Sequence, residues 1–305
     1  MKRITMLLLT TLSLAVAVAP DIAAAAQKKP TMLKKHKHTK KRGSARAMQE
    51  TAGLVVQSAA ALVMDQATGA VLFEKNSGAI LPIASITKLM TAMVALDAQP
   101  SLEQQLAVGD EDVDSLKGTH SRLRVGTQLT REHMLRLALM SSENRAASVL
   151  SRYYPGGREA FVAAMNHKAQ ELGLHETRFE DPTGLTAHNV SSARDLVKMV
   201  AAAHQYPLIR EFTTTTEYEV ALSGRPHVFH NTNSLVRSSA WDIGLSKTGF
   251  INEAGKCLVM QAWLNKKPTI IVLLDSLGKL TRIGDANRIK RWVENATQPQ
   301  RLAAG

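Results

Sequence analysis

The sequence predicts an α+β fold: an antiparallel sheet flanked by helices, with a helical subdomain inserted beside it. Three observations predict it. Short β-rich runs open the globular part and return near its end. Between them, from about residue 100 to 210, the apolar residues follow a helical period. A last helical segment closes the chain. Strands interrupted by a block of helices join one sheet with the helices segregated, whereas alternating strands and helices would wind a parallel sheet.

The elements follow in order. AALVMD (60–65) and AVLFEKN (70–76) are β-rich and separated by QATG, which reads as a hairpin with Gly69 in its turn. In LPIASITKLMTAMVALDAQ, Ile86, Leu89, Met90, Met93, Val94 and Leu96 recur at helical spacing, with Pro82 just before. REHMLRLALM, ENRAASVLSRYY, GREAFVAAMNHKAQELGL and SARDLVKMVAAAHQY read as helices, and Gly173 as a C-cap. After Phe212 the pattern returns to strands in TTTEYEVAL, LSKTGF, CLVMQAWL and TIIVLLDS. DANRIKRWVENA is the closing helix. The two strand groups are expected to share one sheet, which brings the start of the first helix beside the late strands.

The N-terminus is not part of this domain. Lys2 and Arg3 precede an apolar run from Met6 to Ala19, a break at Pro20 and Asp21, and the small residues Ala23 to Ala26. That is the layout of a secretory signal peptide, residues 1–26, and the apolar run falls short of the ~18 residues a membrane anchor needs. Residues 27–50 carry Lys28, Lys29, Lys34, Lys35, Lys37, Lys40, Lys41, Arg42 and Arg46, with no acidic residue before Glu50. Like charges and few apolar residues make this a basic disordered arm. Residues 51–305 are left as the folded domain.

Charge and composition narrow the partners. The formal net charge is +12 over 305 residues, but from Glu50 onward basic and acidic residues nearly balance. Aromatic residues are only 4%, too few for base-stacking platforms, and export argues further against nucleic acid. Electrostatic contact of the arm with envelope anions, or a solvated spacer that binds nothing, are both open. Cys257 is the one cysteine, so no internal disulfide forms, and its apolar strand context reads as a buried thiol. The histidines show no zinc-type spacing, His188, His227 and His230 read as surface or hydrogen-bonded residues, and no metal or other cofactor is implied. Asp181-Pro182-Thr183-Gly184 reads as a loop.

Three short motifs carry chemistry. Ser85 and Lys88 lie three apart at a helix start, so an amine one turn on reaches the hydroxyl. A serine is a poor nucleophile until a base takes its proton, and a lysine serves when burial lowers its pKa. Ser142-Glu143-Asn144 falls at a loop-to-helix junction, and Lys247-Thr248-Gly249 on a late strand. Each alone has an ordinary explanation as a helix cap, a strand end or a turn. Together, about 57 and then 105 residues apart, they form an ordered set.

That set resembles the penicillin-binding protein and serine β-lactamase superfamily, over the chain from about Leu54 to its end. SITKLMTA, SENRAAS, MNHKAQELGLHETRFEDPTGL, NVSSARDLVKM and GLSKTGFINEAGKCLVM look like its low-molecular-mass DD-peptidases. The short stretch after Gly249 is similar to the D-alanyl-D-alanine endopeptidase plan, without the further β-rich domain and C-terminal anchor of the carboxypeptidases. The resemblance implies a periplasmic serine peptidase acting on peptidoglycan peptides, with β-lactam antibiotics as covalent inhibitors. It implies Ser85 as nucleophile, Lys88 as base and Ser142 as proton relay. Asn144 would hold Lys88 and a substrate amide. Lys247 and Thr248 would bind the substrate carboxylate, and Lys247 would lower the pKa of Lys88 by its charge. Gly249 would admit the substrate backbone, and the N–H groups of Ser85 and Phe250 would form the oxyanion hole. A carboxypeptidase, a β-lactamase and a non-catalytic wall-binding protein are the alternatives. Glu143 in place of an aspartate, and no convincing Glu-x-x-x-Asn loop, weigh against the β-lactamase.

Overall fold

The computed structural model describes residues 53–278 and 280–296. The signal peptide and basic arm expected over residues 1–50 lie outside the described residues. Among the described residues no helix is long and apolar enough to cross a membrane.

Strands β1 (Ala60–Asp65) and β2 (Val71–Lys75) form the N-terminal hairpin, with Gly69 at φ +70° in its turn. The two-residue strand β3 (Leu81–Pro82) leads into a 3-10 turn, Ala84–Thr87, and helix α1 (Lys88–Asp97). The helical block carries a small ladder, β4 (Gln105–Ala107) with β5 (Gln128–Thr130). Its helices are α2 (Arg131–Met140), α3 (Asn144–Arg152), α4 (Gly157–Glu171), α5 (Ala193–Ala203) and α6 (Pro207–Thr214). Strand β6 (Val190–Ser191) pairs with β3. Strands β7 (Glu217–Leu222) and β8 (Arg225–His230) precede β9 (Ile243–Ile251), β10 (Gly255–Leu264) and β11 (Lys267–Ser276), and α7 (Thr281–Ala296) ends the described chain.

The expected sheet is present. Its order is β2-β1-β11-β10-β9, antiparallel throughout, so the N-terminal hairpin joins the late strands. Side chains alternate between its faces. Leu62, Val259 and Val272 face the helical block and pack with Leu89, Met93, Leu196 and Met199. Val63, Leu258, Met260 and Ile271 face the other way, onto Ala286, Ile289 and Val293 of α7. Two apolar layers therefore sandwich one sheet, which leaves β9 as an edge beside the helical block.

Two expectations need correction. TTTEYEVAL is a strand but not part of the main sheet. Ser223 and Gly224, at φ +50° and +75°, close a two-residue turn that pairs β7 with β8. Positive φ at both central residues is the hairpin geometry that matches strand twist, so the local partner wins. The chain also forms one more helix before turning back to strands: Pro207 starts α6 at a first-turn position, where its missing N–H is harmless.

Candidate active site

Ser85 sits on the 3-10 turn and Lys88 opens α1, one turn on. The preceding Ala84 has φ +47°, a costly conformation for a residue with a Cβ. Two glycines let the turn sit this tightly. A Cβ on Gly184 would stand 2.0 Å from Ala84 O, and one on Gly249 would stand 2.8 Å from Ile83 O and 3.2 Å from Ser85 N. The Ser85 backbone is thus clamped between the Asp181–Gly184 loop and β9.

The Lys88 ammonium is fully buried and donates three hydrogen bonds: to Ser85 Oγ at 2.9 Å, Asn144 Oδ1 at 2.7 Å and the Thr183 carbonyl at 2.7 Å. Burial lowers its pKa to about 7, against the opposing pull of the Asp181 and Glu143 carboxylates. Burial is thus the largest cause of the lowering. Repulsion between the two lysines also acts on Lys247. Burial first, then the charges of Lys88 and Arg282, hold Lys247 well below the usual lysine value.

Lys247 lies on β9, almost fully buried, and donates to Ser142 Oγ at 2.8 Å and to the Thr248 carbonyl at 3.0 Å. Ser142 takes φ +63° to present its hydroxyl there. Asn144 follows at the start of α3, its Nδ2 donating to Thr119 Oγ1 at 3.1 Å, and Thr119 donates to Asp114 Oδ2 at 2.7 Å. Glu143, between the two, accepts from Ser121 Oγ at 2.6 Å. The helical wall is thereby held by a chain of polar contacts. On the sheet wall, Thr248 Oγ1 donates to Thr232 Oγ1 at 2.6 Å.

All eight residues singled out from the sequence meet at one place, with Lys88 and Lys247 beneath the surface of an open cleft. That cleft, about 270 Å³, is lined by Ser85, Ser142, Asn144, Thr248, Gly249 and Phe250, together with Thr232 and Arg282. Arg282 was not expected. It reaches from α7, 33 residues beyond Gly249, and donates to the carbonyls of Gly249 and Cys257 at 3.0 Å each, while its buried Nε has no partner among the described residues. The Asp181–Gly184 loop is also more than a connector. Asp181 Oδ1 accepts from the N–H of Gly184 and from the N–H and hydroxyl of Thr183, which aims the Thr183 carbonyl at Lys88. Cys257 is buried, as expected, and burial pushes its thiol up to about 11.

A base at the edge of its titration, bonded to a hydroxyl beside first-turn N–H groups, is equipped to add an oxygen nucleophile to a carbonyl. The α+β architecture and this site together define a class, the serine acyl-transferring enzymes of the penicillin-binding type. Comparison with known proteins narrows it. Residues 45–278 match the family described as D-alanyl-D-alanine carboxypeptidase, peptidase S11, and the chain belongs to that family. It is 51% identical over 249 residues to a D-alanyl-D-alanine endopeptidase of Pseudomonas aeruginosa, covering 80% of each chain. It is 48% identical over 241 residues to the enzyme of that name in Escherichia coli, covering 78% of each. The crystal structure of the Streptomyces K15 DD-transpeptidase superposes with a TM-score of 0.73 at 27% identity, over 78% of this chain and 97% of that one.

Proposed function

We propose that the chain is a peptidoglycan DD-peptidase that cleaves D-alanyl cross-links through an acyl-enzyme on Ser85. The observation that carries this is the Lys88–Ser85 contact at 2.9 Å, made by a fully buried amine whose pKa is about 7. In the reaction, Ser85 Oγ attacks the carbonyl carbon of a D-alanine residue, and Lys88 takes the hydroxyl proton. The developing oxyanion is met by the backbone N–H groups of Ser85 and Phe250. Collapse breaks the C–N bond, and Ser142 passes the proton to the leaving amine. Water, deprotonated by Lys88, then attacks the ester and releases the acid and free Ser85.

Lys247, Thr248 and Arg282 supply the cation and donors for a substrate carboxylate, which on binding would restore the Lys247 charge that burial disfavours. Asn144 holds Lys88 and a substrate amide, and Gly249 admits the substrate backbone to the edge of β9. β-Lactams present a carbonyl and a carboxylate at the same spacing and acylate the same hydroxyl. Residues 1–26 direct export, which places residues 51–305 in the periplasm as the catalytic domain. The basic arm, residues 27–50, contacts envelope anions.

The two relatives near half identity, both endopeptidases by name, support the cross-link reading. The family description favours a second reading, a carboxypeptidase that removes terminal D-alanine. The test is to incubate the exported chain, and its Ser85→Ala variant, with cross-linked dimeric and uncross-linked pentapeptide muropeptides, and to weigh the products. Dimers falling to monomers only with Ser85 present uphold the endopeptidase. Loss of alanine from pentapeptides alone replaces it with the carboxypeptidase.

A further inference from the structure

A second depression, about 410 Å³, lies at the tip of the β7–β8 hairpin. Arg122, Arg124, Arg225 and His227 line it, with Thr127 and Ser223, and no carboxylate is among its lining residues. Arg122 is anchored: Nη1 donates to the Val228 carbonyl at 2.7 Å, and the guanidinium lies 3.6 Å over the Phe229 ring. The side chains of Arg124 and Arg225 have no hydrogen bond or ion pair among the described residues. Three guanidinium groups in one pocket, two unpartnered and none neutralised, form an oxyanion receptor whose planar forks suit carboxylates.

Both walls connect it to the reaction centre. Ser121, next to Arg122, donates to Glu143, between Ser142 and Asn144. Strand β8 runs from Arg225 to His230, and Thr232 lines the catalytic cleft. From the pocket's near rim at His227, the strand runs three residues, about 10 Å, to His230, two residues before Thr232. A single D-alanine leaving group is too short to cover that distance, whereas the peptide released from a cross-link is several residues long.

We infer that this arginine pocket is a second substrate anchor, which takes carboxylates on the distal peptide of a cross-linked pair and so selects dimers over single peptides. The inference rests on the DD-peptidase reading above.

The test is the Arg124→Ala/Arg225→Ala double variant, with Arg122 retained because it holds the hairpin, and thermal unfolding measured alongside. Its KM for the cross-linked dimer is expected to rise about tenfold with kcat unchanged. Its pentapeptide cleavage and its acylation by a small β-lactam should be unaffected. A dimer amidated only at the distal-peptide carboxylates remote from the scissile bond, so that the one expected at Lys247 stays free, should show the same rise with the native chain and no further rise with the variant. An unchanged KM for the dimer, an equal loss on pentapeptide, or additive losses on amidation would each overturn the anchor. Should the native chain cleave neither muropeptide, the DD-peptidase reading has failed separately. The pocket is then judged by calorimetric binding of the Ser85→Ala chain to native and amidated dimers. Tighter binding of the native dimer, lost in the arginine variant, upholds it, and equal binding overturns it.

Discussion

Lys247 and Ser142, 105 residues apart in the sequence, share a hydrogen bond of 2.8 Å between a buried amine and a hydroxyl held at positive φ. The strain at Ser142 and the burial of Lys247 both oppose folding, and the contact joins the β9 edge to the helical block at the point where they face the cleft. Two groups that move or hold a proton as one unit should fail together. Ser142→Ala and Lys247→Ala are each expected to slow β-lactam acylation by about 10² or more, and the double variant by little beyond the worse single one. Stopped-flow acylation of the three variants checks this. Losses that multiply would show the pair acting independently.

The acylation rate should rise with pH, with its midpoint at about 7, because only neutral Lys88 can accept the Ser85 proton. Glu143 raises the Lys88 pKa by its charge, so Glu143→Gln should move the midpoint to lower pH while leaving an acceptor for Ser121. A pH–rate profile of both forms under single-turnover conditions reads the shift, and an upward or absent shift would contradict it. The same burial has a sign for stability. Between pH of about 7 and the usual lysine value of 10.5, the unfolded chain binds the proton that folded Lys88 has lost, so this group's contribution to stability rises with pH.

Much of this site was legible because its chemistry sits on side chains in short local patterns. Ser85 with Lys88 is a one-turn relation, and Lys-Thr-Gly on a strand is conspicuous because a buried lysine needs a reason. The unread parts have no such mark. The Thr183 contact to Lys88 is a backbone carbonyl, which any residue type could supply. Arg282 and Thr232 reach the cleft from elements distant in sequence, and only the packing of α7 against the sheet brings Arg282 there. Strand β8 was missed for a local reason, since Pro226 inside RPHVFH argues against a central strand, and the two-stranded hairpin tolerates it.

The far side of the sheet depends on one carboxylate. Asp285 on α7, fully buried, accepts from Gln57 N at 2.9 Å, Ser58 N at 2.7 Å and Ser58 Oγ at 2.6 Å, and from Arg288. Burial acts to raise its pKa, but these donors more than offset it and hold the carboxyl below its usual value. Its stabilising contribution is therefore present above the unfolded value of 3.8 and lost as pH falls through the lower folded value. Asp285→Asn, which replaces an acceptor by an amide facing donors, should cost about 1–3 kcal/mol at neutral pH. Urea unfolding at pH 7 and pH 3 measures it. The difference between native and variant should shrink at the lower pH, and a difference that grows would mean the carboxylate is not the stabilising form.

The contact of Gly249 with the Ala84–Thr87 turn separates space from backbone freedom. Gly184 is held at φ +80° and would be strained by any side chain, so its replacement tests two things at once. Gly249 has ordinary strand geometry, and space alone forbids alanine, since a Cβ would stand 2.8 Å from Ile83 O, 3.1 Å from Ala84 Cβ and 3.2 Å from Ser85 N. Gly249→Ala must push the Ile83–Ser85 segment away from β9, because the obstacle is backbone and cannot rotate aside. Overpacking of this kind costs about 1–3 kcal/mol. The larger effect should fall on catalysis, since a displacement of ~1 Å at a reacting atom can cost 10²-fold in rate. Gly249→Ala should therefore remain folded, with a modestly lower Tm, and lose about two orders of magnitude in β-lactam acylation. If the rate survives while Tm falls, the turn has moved without disturbing Ser85, and the close approach serves stability alone.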